Sequence, residues 1–183
     1  AIVAEGFEAG GHNGREETTT LCLIPAVREA TTLPLIAAGG IGTGEAIFAL
    51  MALGAEGVQM GTRFALTYES SASDIFKEYC LRLNEGDTKL LLKKLAPTRL
   101  VTNSFRDRVE AAEGRGASAE ELRELLGRGR AKKGIFEGDL EEGELEIGQV
   151  AALFRRRQSV DEVMKELLEG YRRASDKIRS AGL

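Results

Sequence analysis

The sequence predicts an α/β fold built on parallel strands, either an open sheet or a (β/α)8 barrel, and three observations predict it. Short apolar runs recur at 1–5 (AIVAE), 33–38 (LPLIAA) and 56–60 (EGVQM), the composition of strands covered on both faces. Helix signals separate the runs, so strand, loop and helix alternate with a period of roughly 25 to 30 residues. Glycines follow each run: Gly10 and Gly11, then Gly39 and Gly40, then Gly61. Only three such strands are legible, too few to close an eight-stranded barrel.

Each element has its own warrant. After the first strand comes a glycine loop, EGFEAGGHNGREETTT, and Pro25 is placed to open a short helix over 25–32. Pro34 stands at the start of the second strand, where a missing N–H is tolerated. Thr43 is a natural N-cap for a helix over 44–53, and Gly54 a natural left-handed stop. From residue 72 the character changes. Residues 72–85 read as helical, 87–95 as helical or irregular, and 96–106 (APTRLVTNSFR) as extended. A helix over 118–128 opens on a capping box, Ser118 with Glu121 three residues on. A helix over 149–155 follows Gly148. The last helix, 159–181, carries Val160, Val163, Met164, Leu167, Leu168, Tyr171, Ala174 and Ile178 as an apolar stripe that suits packing on a body. The chain thus divides into 1–71, 72–158 and 159–183.

At 183 residues, with 43% hydrophobic and 30% charged residues, the chain suffices for one domain with a sizeable core. Its net charge of −4 gives no reason to expect a nucleic-acid or membrane partner. Two cysteines, Cys22 and Cys80, do not space as a metal cluster, and reduced thiols inside a cell are expected. No signal peptide and no apolar span of about eighteen residues is present, so a cytoplasmic enzyme is the expectation. The chain opens inside a strand without an initiating Met, which suggests upstream sequence lost, cleaved or left out.

His12 is the only histidine. A lone histidine is commonly structural, yet the glycines around this one leave it little core to pack into. Its imidazole can serve as an acid, a base or a hydrogen-bond donor to a carbonyl. No further His or Cys clusters with it, so no metal site is expected. Gly39-Gly40 and Gly61-Thr62 end consecutive strands, where a (β/α)8 barrel places backbone N–H groups around a phosphate. Taken singly, each pair is an ordinary turn; two pairs at equivalent strand ends favour the phosphate reading. The basic run Arg128 to Lys133 is a solvated loop or, on the sharper reading, an anion contact. Strand alternation leaves open whether Gln59 points inward. There is no GxSxG elbow and no Ser-His-Asp order, which argues against a hydrolase.

The combination GFEAGGHNG, AAGGIGTGEA, LGAEGVQMGTRF and GELEIGQVAAL resembles the FMN-dependent superfamily of enoyl-ACP reductase II and nitronate monooxygenase (2-nitropropane dioxygenase). The resemblance implies a (β/α)8 TIM barrel, here its C-terminal strands in 1–71. It implies a mostly helical region over the active-site mouth in 72–158, and a helix packed on the barrel in 159–183. FMN would lie at the carboxyl ends of the strands, with Gly39, Gly40, Gly61 and Thr62 at its phosphate, Glu5, Ala9, Gly10 and Gly11 along the ring system, and Gln59 among the binding residues. His12 would be the catalytic residue and Gln149 part of the substrate pocket.

Two chemistries share that scaffold. An enoyl-ACP reductase would use NAD(P)H, through FMN, to reduce the 2,3 double bond of enoyl thioesters in fatty acid synthesis, its partner being an acyl-carrier-protein thioester or a small molecule. A nitronate monooxygenase would oxidise alkyl nitronates with O2. The wording EGFEAGGHNGREETTTL is closer to the reductases, which are often stimulated by a monovalent cation. A non-catalytic phosphate- or flavin-binding half-barrel is the third reading, and a dehydrogenase of the IMP or dihydroorotate type lacks its Cys at the right place. Family members carry about five further βα units ahead of this region. The resemblance therefore implies a complementary N-terminal half, and that 1–183 alone would neither hold FMN tightly nor turn over. A homodimer is implied by resemblance only.

Overall fold

Three parallel strands form on apolar runs with one face covered: Ala4, Leu35 and Ala37 are buried, while Val3, Glu5 and Gln59 on the other face are exposed. In a computed structural model, which describes residues 1–182, β1 (Ile2–Glu5), β3 (Leu35–Ala38) and β4 (Gly57–Gln59) pair in parallel in the order β1-β3-β4. The crossovers are α1 (Thr20–Ala30) and α2 (Gly44–Ala52). Ala4, Leu35 and Ala37 turn towards the helices and share a core with Ile24, Ile41, Leu50 and Ala55. The other face carries two rows in register, Val3–Ile36–Gly57 and Glu5–Ala38–Gln59. The second row lies at the carboxyl ends of all three strands.

Thr43 caps α2 by accepting from the Ala46 N–H at 3.2 Å, as the sequence predicts. Gly54, at φ +104°, ends that turn in a conformation that suits glycine. The helix after β1 starts earlier than Pro25 suggests. Its first turn is held from outside, because the Glu8 carboxylate accepts the Thr20 N–H at 2.9 Å. Pro25 then falls inside α1, on a stretch where Leu21, Cys22 and Pro25 are exposed and water can serve the carbonyl it leaves free.

Residues 72–158 hold more than helices. A second, antiparallel sheet has the order β2-β6-β5, from β2 (Gly11–His12), β5 (Thr88–Leu91) and β6 (Thr98–Val101). The 87–95 stretch therefore contains a strand. Leu91, Leu92 and Leu100 bury against α5 (Ser104–Gly114) and α6 (Ala119–Leu126), through Phe105, Val109 and Leu122. The extended reading of 96–106 stops short: Asn103 accepts the Arg106 N–H at 2.8 Å and starts α5 there. The capping box of Ser118 and Glu121 opens α6 as expected. Between these come a short α3 (Thr62–Ala65), α4 (Asp74–Cys80), a single π turn at Lys132–Phe136 and a 3-10 turn at Gln149–Leu153 where a helix was expected.

The basic run meets the acidic one within the fold. Arg130 donates to the Glu142 carbonyl at 2.7 Å and stacks over Phe105, Arg108 grips the Glu142 carboxylate through two 2.7 Å bonds, and Lys133 pairs with Asp139 at 2.9 Å. These contacts favour the plain reading of that run over an anion contact.

Helix α7 (Val160–Ser180) opens on a second capping box, Ser159 with Glu162. Its stripe divides. Val163, Leu167 and Gly170 bury against α2, while Met164, Leu168 and Ile178 stay exposed. The two helices approach so closely that a Cβ on Gly44 would lie 2.1 Å from the Leu167 carbonyl oxygen. Phe48 and Tyr171 meet edge to face at 5.6 Å. Among the described residues no helix is long and apolar enough to cross a membrane.

Candidate active site

Strand order fixes where a site can form, because carboxyl ends of neighbouring parallel strands leave a crevice that loops then line. Here a cavity of about 250 Å³ lies across the ends of β1, β3 and β4. Glu5, Ala38 and Gln59, one from each strand, line it in register. So alternation turns Gln59 towards the crevice, the point that sequence alone leaves open.

Eight of the sequence-predicted residues meet on this one cavity: Glu5, Ala9, Gly10, Gly39, Gly40, Gln59, Gly61 and Thr62. Gly39 and Gly40 have φ of +90° and +68°, a path that other residues take only with strain. Thr62 accepts the Gly148 N–H at 2.9 Å, which ties the strand end to the 146–148 segment and leaves the hydroxyl hydrogen for a ligand.

Three predicted residues are placed elsewhere. His12 is exposed on β2, paired with Thr98 of β6, beside the cavity and not on its wall. Gly11 precedes it in the same two-residue strand. Gln149 faces a neighbouring depression with Glu8, Gly40, Asn84 and Thr88, and its N–H donates to the Glu8 carbonyl at 3.0 Å.

Two features escaped sequence reasoning. Arg99, 1% exposed on β6, donates to the Phe7 carbonyl at 2.5 Å and the Ala9 carbonyl at 3.0 Å, and stacks over the Phe7 ring at 4.5 Å. It holds the loop that carries Ala9, Gly10 and Gly11, at the expense of burial that lowers its own pKa. Glu146 lines the cavity wall and Glu144 is buried two residues before it. Burial raises the carboxyl pKa of Glu5 and of Glu146. Glu144 is pushed up to about 7, by burial first and by the Glu146 charge second, against the opposing pull of His12 and Arg130. The signal in the sequence was the alternation Glu144-Leu145-Glu146-Ile147, with Leu145 and Ile147 in the core and both carboxyls on the other face.

A larger hollow of about 520 Å³ lies between the start of α2 and α7. Most of its charges pair with one another. Glu166 gathers Arg63 at 2.5 Å, Gln158 at 2.6 Å and Arg156 at 2.9 Å, and Glu45 pairs with Arg173 at 3.2 Å. This reads as a structural network that anchors α7.

Three parallel strands with glycine loops and a cavity at their carboxyl ends form the α/β arrangement that (β/α)8 enzymes use at their active-site face. FabK from Thermotoga maritima matches 98% of this chain at a TM-score of 0.91 and 35% identity, over 57% of its own length. A nitroalkane oxidase from Streptomyces ansochromogenes matches 97% of the chain at a TM-score of 0.75 and 29% identity, over 53% of its length. A probable nitronate monooxygenase of Staphylococcus aureus (strain JH9) is 39% identical over 125 residues, 62% of this chain and 35% of that relative. The nitronate monooxygenase family model matches residues 1–170, and the chain belongs to that family. Its homologues are flavin-dependent oxidoreductases. The chain spans about a third of the length of the curated relatives it matches, and just over half that of these two solved structures.

Proposed function

We propose that this chain forms the phosphate-binding side of an FMN-dependent oxidoreductase that reduces enoyl thioesters with NAD(P)H. The observation that carries the reductase reading is the match to FabK, an enoyl-ACP reductase II, higher in TM-score and identity than the match to the nitroalkane oxidase over nearly the same residues. A nitronate oxidase is the second reading, favoured by the family model and the Staphylococcus relatives.

The residues at the strand ends suit FMN. A Cβ added at Gly61 would meet nothing within 4 Å, so there is open space beside the first turn of α3. The N–H groups of Thr62 and Arg63 have no acceptor within their own helix and can turn to a phosphate. Gly39, Gly40, Gly61 and Thr62 would hold the phosphate, and Ala9 and Gly10 would flank the ring system. FMN, when bound, supplies hydride transfer between NAD(P)H and substrate. The chain's own residues do the rest. Arg99 fixes the Phe7–Ala9 loop by its two carbonyl bonds, so the ring-flanking backbone is preorganised. His12, exposed at the rim, can give a proton from an imidazole nitrogen to substrate that enters past β2.

Substitution of His12 tests this. In the full-length protein, His12→Ala is expected to keep bound flavin, read from its visible absorbance, and to lose turnover by about a hundredfold or more. Unchanged turnover would remove His12 from the mechanism.

A further inference from the structure

The cavity has an uneven charge. Its glycine end offers backbone N–H groups, which favour an anion. Its other wall carries carboxyls: among the described residues that line it, the charged side chains are Glu5 and Glu146, with no Lys, Arg or His. Glu146 reaches this wall through the second sheet. Its backbone bridges to Leu100, while the neighbouring Arg99 pairs with Gly11. That register lays the Glu146 carboxylate over the bare Gly11 backbone, with Oε2 only 2.6 Å from where a Cβ would stand. Gly11, at φ +74°, takes a backbone path that favours glycine, and its missing side chain leaves room for the carboxylate above it.

Among the described residues, no cationic side chain lines the cavity beside Glu146, and none is hydrogen-bonded to its carboxylate. Glu5 faces the cavity from β1, and Glu144 lies in the same segment at 8% exposure. Arg99 on β6 is committed to the Phe7 and Ala9 carbonyls. Arg130 is committed to the Leu126 and Glu142 carbonyls and to the Glu142 carboxylate at 3.1 Å. His12 on β2 and Arg130 both act on Glu144. An anionic substrate group placed against this wall would therefore meet the carboxyls of Glu5 and Glu146, with no cation among the described residues lining the cavity. An uncharged carbonyl or amide would find a carboxyl to hydrogen-bond.

We propose that Glu146 is a specificity-determining residue, which makes this end of the cavity select uncharged, carbonyl-bearing substrates over anionic ones. This rests on the reading above that the cavity holds flavin and substrate. It also bears on the choice between them, since a thioester is neutral and a nitronate is an anion.

The test uses two redox-inert probes of nearly equal shape, butyramide and butyrate, with the FMN-loaded full-length protein. Binding is followed by ligand-observed NMR, which needs no turnover. At about pH 8 the wild type should bind butyramide more tightly than butyrate, by about tenfold or more. Glu146→Gln should close that gap by about tenfold, chiefly by gaining butyrate. Lowering the wild type to about pH 6.2, where butyrate itself stays ionised, should narrow it in the same direction, because a protonated Glu146 no longer repels the anion. This second arm serves if the variant folds poorly. A gap that neither Glu146→Gln nor acid alters, or a protein that binds neither probe, overturns the proposal. A protein with the expected preference that accepts electrons from neither NAD(P)H nor a nitronate would instead overturn the functional reading and leave this one standing.

Discussion

Glu144 shows what a single residue contributes at this site. Its carboxyl is raised from the ordinary range to about 7, so the folded state favours the neutral form. The sign follows. Stability from this group is fully present below the unfolded carboxyl pKa and is lost as pH rises towards 7. Urea unfolding between about pH 4.5 and pH 8 should therefore show a decline, at most about 3 kcal/mol from this group, that Glu144→Gln removes. A variant with the same pH slope as the wild type would refute the assignment. Residues at strand ends, such as Gly39, Gly40, Gly61 and Thr62, were legible because apolar run, glycine and helix cap are contiguous in sequence. Glu146 and Arg99 were not. They reach the site only after a strand more than eighty residues away from the Gly10–Gly11 loop pairs with it, and nothing local announces that pairing.

Elements were legible in proportion to how far local chemistry decides them. The three parallel strands and the capped helices α2, α6 and α7 follow from apolar runs and Ser or Thr caps. The second sheet does not. Its β2 is two residues long, and Thr88-Lys89-Leu90-Leu91 is followed by Leu-Lys-Lys-Leu, a mixture that suits a helix as well as a strand. The α7 stripe was read from its period, but period cannot say how wide a face the partner covers. Here the partner is α2, and the contact is set by small residues, Gly44 and Gly170. Gly44→Ala would drive a methyl into the Leu167 carbonyl and the Tyr171 amide, at 2.1 and 2.2 Å. It is expected to destabilise by about 2 kcal/mol, a drop in Tm of about 4 to 8 °C by calorimetry. An unchanged Tm would show that α2 and α7 can part without loss.

For the whole molecule, the point is that two sheets of different kind share one cavity. The parallel sheet supplies the glycine loops, and the antiparallel sheet, through β6, positions Arg99 and Glu146 against them. That division accounts for a pocket with an anion-binding end and a carboxyl-lined end, and it underlies the proposal of a flavin enzyme for neutral thioesters. The most direct measurement is anaerobic stopped-flow on the FMN-loaded full-length protein, with the flavin absorbance followed after mixing. Rapid bleaching by NAD(P)H, and recovery of colour on addition of an enoyl thioester, are expected. Bleaching by a nitronate, with NAD(P)H inert, would contradict the reductase reading.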